Sequence, residues 1–301
     1  SGSDVRGFRP DEAEAYVGAV ADLSDDLRSR VLEFGGENPL LLEELIYQLY
    51  LQRQEATSGG GGDNSAGHLA PPFELFDDLD APAADKLTRL VRHRLDSLTR
   101  QQMFIIQILS VASLPLPDSI ISLVLDEEFH SGQRMDDSVG LLLDRLRTLR
   151  LVRQVDTDRW ERAYTLFHNI SRTLVLDEIH EQHYTHLCEH IANALRRLWP
   201  EAHELRFEYL LRANQISEAL DTAVRTAQTA EERFAYHRTA KHWRWIEVQS
   251  TETGRMTSLQ PREELARVER LAGRPAESAP IYRELADALP VGVARSNHRR
   301  R

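Results

Sequence analysis

The chain has 301 residues, 41% of them hydrophobic, and its 48 acidic side chains exceed the 37 lysines and arginines for a formal charge of −11. That balance opposes a phosphate backbone, the single Cys188 excludes an internal disulfide framework, and no apolar run approaches the roughly 20 residues a bilayer crossing needs. Enough apolar surface remains for two or more cores, in a chain expected to be cytoplasmic.

Asp11 to Ala21, Asp25 to Phe34 and Asn38 to Glu55 have helical spacing, the third with a stripe of Leu41, Leu42, Leu45, Ile46 and Leu49. The second gives way to the third through Phe34-Gly35-Gly36-Glu37-Asn38-Pro39-Leu40-Leu41-Leu42-Glu43-Glu44-Leu45, a glycine-loosened turn that delivers a proline into the first helical turn. Asn38 can cap that helix through its side-chain oxygen, and Pro39 lacks an N–H where none would be bonded. Glu43 and Glu44 sit near the positive end of the helix dipole. This first helical segment covers residues 1–56. Residues 57–83 follow as a flexible linker, since Thr57 to Pro72 holds four consecutive glycines and a Pro-Pro pair and too little apolar surface to offset chain entropy.

Residues 84–178 resume helical spacing in Ala84 to Leu98 and Gln101 to Ala112, the latter apolar almost all round and hence central. Pro117 to Leu125 predicts a short helix, Asp126 to Asp137 an acidic loop, and Ser138 to Leu149 a third helix. Leu151 to Val155 and Arg162 to Phe167 predict two strands joined by the turn Asp156-Thr157-Asp158. Three helices and a hairpin spell a winged-helix domain. From Asn169 onward every segment is helical, with short connections that imply antiparallel pairs, and residues 179–290 carry tetratricopeptide-like repeats of degenerate period. Leu271-Ala272-Gly273-Arg274-Pro275 with Tyr282 is the clearest match. Residues 291–301 form a basic tail, and the fold class is mostly α.

Only two lysines occur, Lys86 and Lys241, and neither stands in the glycine-rich or strand context that phosphate-binding loops and kinases require. A Gly-x-Ser-x-Gly elbow and a glycine-rich dinucleotide turn are missing as well, so no catalytic site is assigned. His180, His183, His186 and His190 invite a metal hypothesis, but the stripe Ile179, Leu187, Ile191, Ala194, Leu198 puts His183 and His190 within or beside a packing face, and no metal site is assigned. Arg145, Arg147, Arg150 and Arg153 lie on or just after the third helix of the winged unit, where DNA readers place their contacts, although Asp144 and the acidic loop weigh against that use. Trp243 and Trp245 read as packing between repeat helices, or as a partner surface if exposed.

Gly36-Glu37-Asn38-Pro39 followed by an apolar run and Glu43-Glu44-Leu45 resembles the lid motif of STAND-type signalling ATPases, a branch of the AAA+ superfamily. Tyr164-Thr165-Leu166-Phe167-His168-Asn169-Ile170-Ser171-Arg172 is similar to that family's aromatic-x-Phe-x-His-x-x-x-Arg signature, with Leu166 where Phe is usual. The order of lid, winged helix and helical repeats extends the resemblance over nearly the whole chain. It implies that Gly36, Asn38 and Pro39 sit beside the adenine of ATP or ADP, and that His168, with Arg172, senses the phosphates. It also implies a missing N-terminal nucleotide-binding domain, without which the chain binds nucleotide poorly, and an output such as a fused serine/threonine kinase, cyclase or LuxR-type domain. The chain is thus expected to be a fragment, the regulatory and partner-binding part of a nucleotide-dependent switch, with a protein partner on the repeats. Two alternatives stand beside it: a self-standing repeat scaffold and a winged-helix DNA regulator.

Overall fold

Fourteen helices and one three-stranded sheet make up the described residues, so the mostly helical class read from the sequence holds. The computed structural model describes residues 7–20, 23–58, 81–129, 138–157, 160, 162–253 and 259–288, with 54–58, 253 and 288 described by backbone alone. Most of the expected linker, most of the acidic loop and the basic tail lie outside the described residues. The chain divides into two compact units, residues 1–179 and 180–301.

The first unit opens with α1 (Pro10–Val20), α2 (Asp25–Gly35) and α3 (Pro39–Ser58). Ser24 caps α2 by accepting from the Leu27 amide, and Leu41, Leu42 and Leu45 bury one side of α3. Next come α4 (Ala83–Asp96), α5 (Arg100–Val111), β1 (Leu116–Pro117), α6 (Asp118–Phe129), α7 (Val139–Thr148), β2 (Val152–Val155), β3 (Ala163–Leu166) and α8 (Asn169–Glu178). Thr99 and Gln102 form a reciprocal capping box at the start of α5, which then buries Phe104, Ile105, Ile106, Ile108 and Leu109. That run is central, packed by α6, α7, α8 and β3.

The sheet has the order β1-β3-β2, all antiparallel, with Val152 opposite Leu166, Gln154 opposite Tyr164, and Leu116 also opposite Tyr164. Two details correct the sequence reading. Leu116-Pro117 adds a third strand to the expected hairpin, too short to show alternation, with its proline on an edge where a missing N–H is tolerated. Helix α6 also continues through Asp126 to Phe129, because buried Phe129 meets Phe104 edge to face at 5.6 Å and holds that turn inside.

The second unit is a run of antiparallel helices: α9 (Glu181–Leu198), α10 (His203–Arg212), α11 (Ile216–Glu232), α12 (Tyr236–Thr253), α13 (Leu259–Leu271) and α14 (Pro275–Ala288). Each packs on the next in sequence. Small residues keep the interfaces close, with Ala219, Ala223, Ala227, Ala240 and Ala266 all fully buried. One turn geometry recurs between helices: Asn214, Phe234 and Gly273 take φ of 54°, 58° and 76°, and the amide after each reaches back to Leu210, Ala230 and Glu269. This is the left-handed helix stop that glycine fits best.

Candidate functional site

At the turn between α2 and α3, Gly36 donates its amide to the Leu32 carbonyl at 2.9 Å and takes φ 54°, ψ −134°, a conformation open essentially to glycine. Gly35 is required for a different reason. A Cβ there would lie 2.3 Å from Cδ2 and 2.8 Å from Cγ of the buried Leu42, so any side chain at this position forces the Leu42 side chain to move. Asn38 accepts from the Leu41 amide at 3.0 Å and starts α3, with Pro39 at its first position. The Phe8 amide donates to the Glu37 carbonyl at 2.8 Å and pins the segment ahead of α1 to the turn.

These residues wall a cleft of about 410 Å³ lined by Gly7, Glu33, Phe34, Gly35, Gly36, Glu37, Asn38, Pro39, Ala83 and Lys86. Lys86 donates its Nζ to the Phe34 carbonyl at 3.2 Å and stands 5.9 Å from the Phe34 ring centroid. The cleft is thus bordered by the backbone of the turn and by Phe34 and Lys86. The sequence reading did not place Lys86 here.

Two turns along α3, charges are buried. Glu44 and Arg94 meet at 2.5 Å, off the hydrogen-bonding angle, with side chains 1% and 0% exposed. Arg94 also donates Nε to Gln48 at 2.9 Å, while His168 lies 3.1 Å from the other Glu44 oxygen. Burial alone would raise the Glu44 carboxyl, but the His168 hydrogen bond and the Arg94 guanidinium outweigh it and hold the group below the ordinary carboxylate range. Arg150, at φ 52°, directs its guanidinium to Glu43 at 2.8 Å and to the Tyr47 ring at 4.0 Å. Tyr47 in turn donates to the Thr148 carbonyl. Helix α3 is therefore clamped by polar contacts to α4, to the end of α7 and to His168 at the start of α8.

Of the residues expected at the site, Gly36, Asn38 and Pro39 line one cleft, whereas His168 and Arg172 do not. His168 precedes α8 and faces Glu44, and Arg172, one turn later, donates to the carbonyls of Leu109, Ser110 and Ala112 at 3.3, 3.0 and 2.7 Å. It closes the C-terminal end of α5, where a cation complements the helix dipole. Arg145, Arg147 and Arg153 are exposed, Arg147 pairing with Asp144, while Arg150 is drawn to α3.

No protein-family profile matches the chain, and no curated protein does. Among solved structures, its fold is shared by a Signal Transduction ATPase with Numerous Domains (STAND) protein with a tetratricopeptide repeat sensor from Pyrococcus horikoshii, at a TM-score of 0.55 and 13% identity. The likeness covers 95% of this chain and 36% of the archaeal one, so the chain spans about a third of that protein's length. Among the described residues, no helix is long and apolar enough to cross a membrane.

Proposed function

We propose that this chain is the regulatory and partner-binding part of a STAND-type nucleotide switch, in which α1–α3 form the lid over a nucleotide held by a separate domain, α4–α8 form a winged-helix domain, and α9–α14 bind a protein partner. The observation that carries this reading is the cleft at Gly35–Pro39, where the capped helix start, the Phe34 ring and Lys86 border an opening sized for an adenine. The fold shared with the archaeal STAND protein supports the same assignment for the order of parts. In this reading the base packs against Pro39, Lys86 approaches a ribose or phosphate oxygen, and the nucleotide's remaining contacts come from a phosphate-binding loop outside these residues. His168 senses the phosphates only after giving up Glu44, so the ion cluster sets the threshold for switching.

The test is calorimetric titration of ADP and ATP into the full-length gene product. Micromolar or tighter binding that weakens at least tenfold in Pro39→Gly supports the reading. Unchanged affinity in that variant rejects it and favours the repeat scaffold.

The turn of Arg150 toward α3 bears on the DNA-binding alternative, since it removes one of four arginines from the face that would meet a groove. That alternative requires a salt-dependent duplex shift weakened by Arg145→Ala.

A further inference from the structure

On α9, His186 and His190 stand one turn apart with their Nε2 atoms 2.8 Å from each other, ring centroids 4.1 Å apart and ring planes at 89°. The helix buries Leu187, Cys188, Ile191, Ala194 and Leu195, while His186 is exposed and His190 half-buried at the edge of that stripe. Histidine spacing alone favours a packing role. The facing nitrogens add what spacing cannot: two imidazole Nε2 atoms on one helix lie 2.8 Å apart, close enough for one ion to reach both.

Imidazole nitrogens bind divalent transition ions at about 2.0–2.1 Å. Bonds of that length to two atoms 2.8 Å apart subtend roughly 86° at the ion. This is the cis angle of a tetragonal or octahedral centre, the geometry of Cu²⁺ and Ni²⁺ bound by nitrogen and oxygen, whereas a tetrahedral Zn²⁺ needs the nitrogens to open to about 3.3 Å. The proton balance is simple. In the neutral pair one Nε2–H donates to the other Nε2, and an ion takes both nitrogens once the donor ring carries its proton on Nδ1 instead, with no net proton released.

We propose that His186 and His190 form a two-nitrogen chelate for a divalent transition-metal ion, with Cu²⁺ and Ni²⁺ preferred over Zn²⁺ and the remaining coordination positions filled by water or a further donor. A bound ion staples one turn of α9. The proposal is independent of any nucleotide bound by the first unit.

The test titrates CuCl₂, NiCl₂ and ZnCl₂ into the 301-residue chain at pH 7.5 in a non-chelating buffer, with electron paramagnetic resonance of the copper form. Expected are one Cu²⁺ per chain, a hyperfine pattern from two nitrogen donors, and affinity in the order Cu²⁺, Ni²⁺, Zn²⁺. His186→Gln and His190→Gln should each lose at least tenfold in Cu²⁺ affinity, and His183→Gln should keep it. Copper affinity equal in wild type and His186→Gln, or Zn²⁺ bound more tightly than both other ions, overturns the proposal. Should either variant fail to fold by circular dichroism, the nitrogen hyperfine pattern of the wild-type copper form decides, and its absence counts against the site.

Discussion

In the first unit Glu44 and Arg94 are withdrawn from water, at 1% and 0% side-chain exposure, and the cluster is completed by Gln48 from α3 and His168 at the start of α8. The second unit buries one carboxylate, Glu269, against the partly exposed Arg244 and Arg274, but holds most of its ion pairs at the surface, several of them between helices two apart in sequence: Arg267 grips Glu231 with two bonds of 2.5 and 2.6 Å at about a third exposure, and Arg238 reaches Glu204 while more than half exposed. The difference lies in solvent. Surface pairs gain little because water and salt screen them, and losing one leaves the rest intact. Removing one member of the buried cluster instead leaves its partner charged and unhydrated, so that cluster behaves as a unit. The first arrangement suits a joint that is either closed or open, and the second suits a stack of helices stabilised step by step.

The sharpest way to break this comparison is to remove one charge from each region. Glu44→Gln or Arg94→Met should destabilise the first unit by about 3–5 kcal/mol, read by chemical denaturation. The double replacement Glu44→Leu with Arg94→Leu should recover much of that loss, because no charge then stays buried. A smaller effect is expected at the turn, where Gly35→Ala drives a methyl into Leu42 and should cost about 1–3 kcal/mol. In the second unit Arg267→Ala should cost about 1 kcal/mol or less and lose its effect as salt rises. Last and of opposite sign, Phe234→Gly should stabilise the second unit by roughly 1 kcal/mol, read as a higher melting temperature, since a bulky residue at φ 58° is relieved.

Acid sharpens the same contrast. The Glu44 carboxyl titrates below its unfolded value, so its contribution is complete above the ordinary carboxylate pKa and is lost as pH falls through the depressed folded one. Denaturation of the first unit should steepen below about pH 4, and Glu44→Gln should flatten that dependence. A profile unchanged by the substitution would remove Glu44 from the account.

Much of the fold was legible because apolar spacing carries it. The stripe of α3, the all-round burial of α5 and the helices from Asn169 onward follow from leucine and alanine periodicity, and element ends differ from expectation by a few residues. The strand Leu116–Pro117 was not legible, since two residues hold no alternation and its pairing with Tyr164 and Ala163 is long-range. Of the site, the Asn38 cap could be read locally, but the buried cluster was passed over although a signal existed. Glu44 and Gln48 fall in register with Leu41 and Leu45, and Arg94 with Leu87, Leu90 and Val91, so polar side chains stood on apolar stripes of two helices. Complementary intrusions of that kind indicate a buried pair. Lys86 offered no such cue, because its place beside Phe34 depends on how α4 packs against the end of α2.

The most direct measurement is photo-crosslinking of the full-length product with 8-azido-ADP, followed by peptide mapping. A nucleotide seated at the α2–α3 turn predicts adducts within residues 33–39 or on Lys86, suppressed by excess ADP. Saturable labelling that leaves those residues unmodified and maps elsewhere would contradict it.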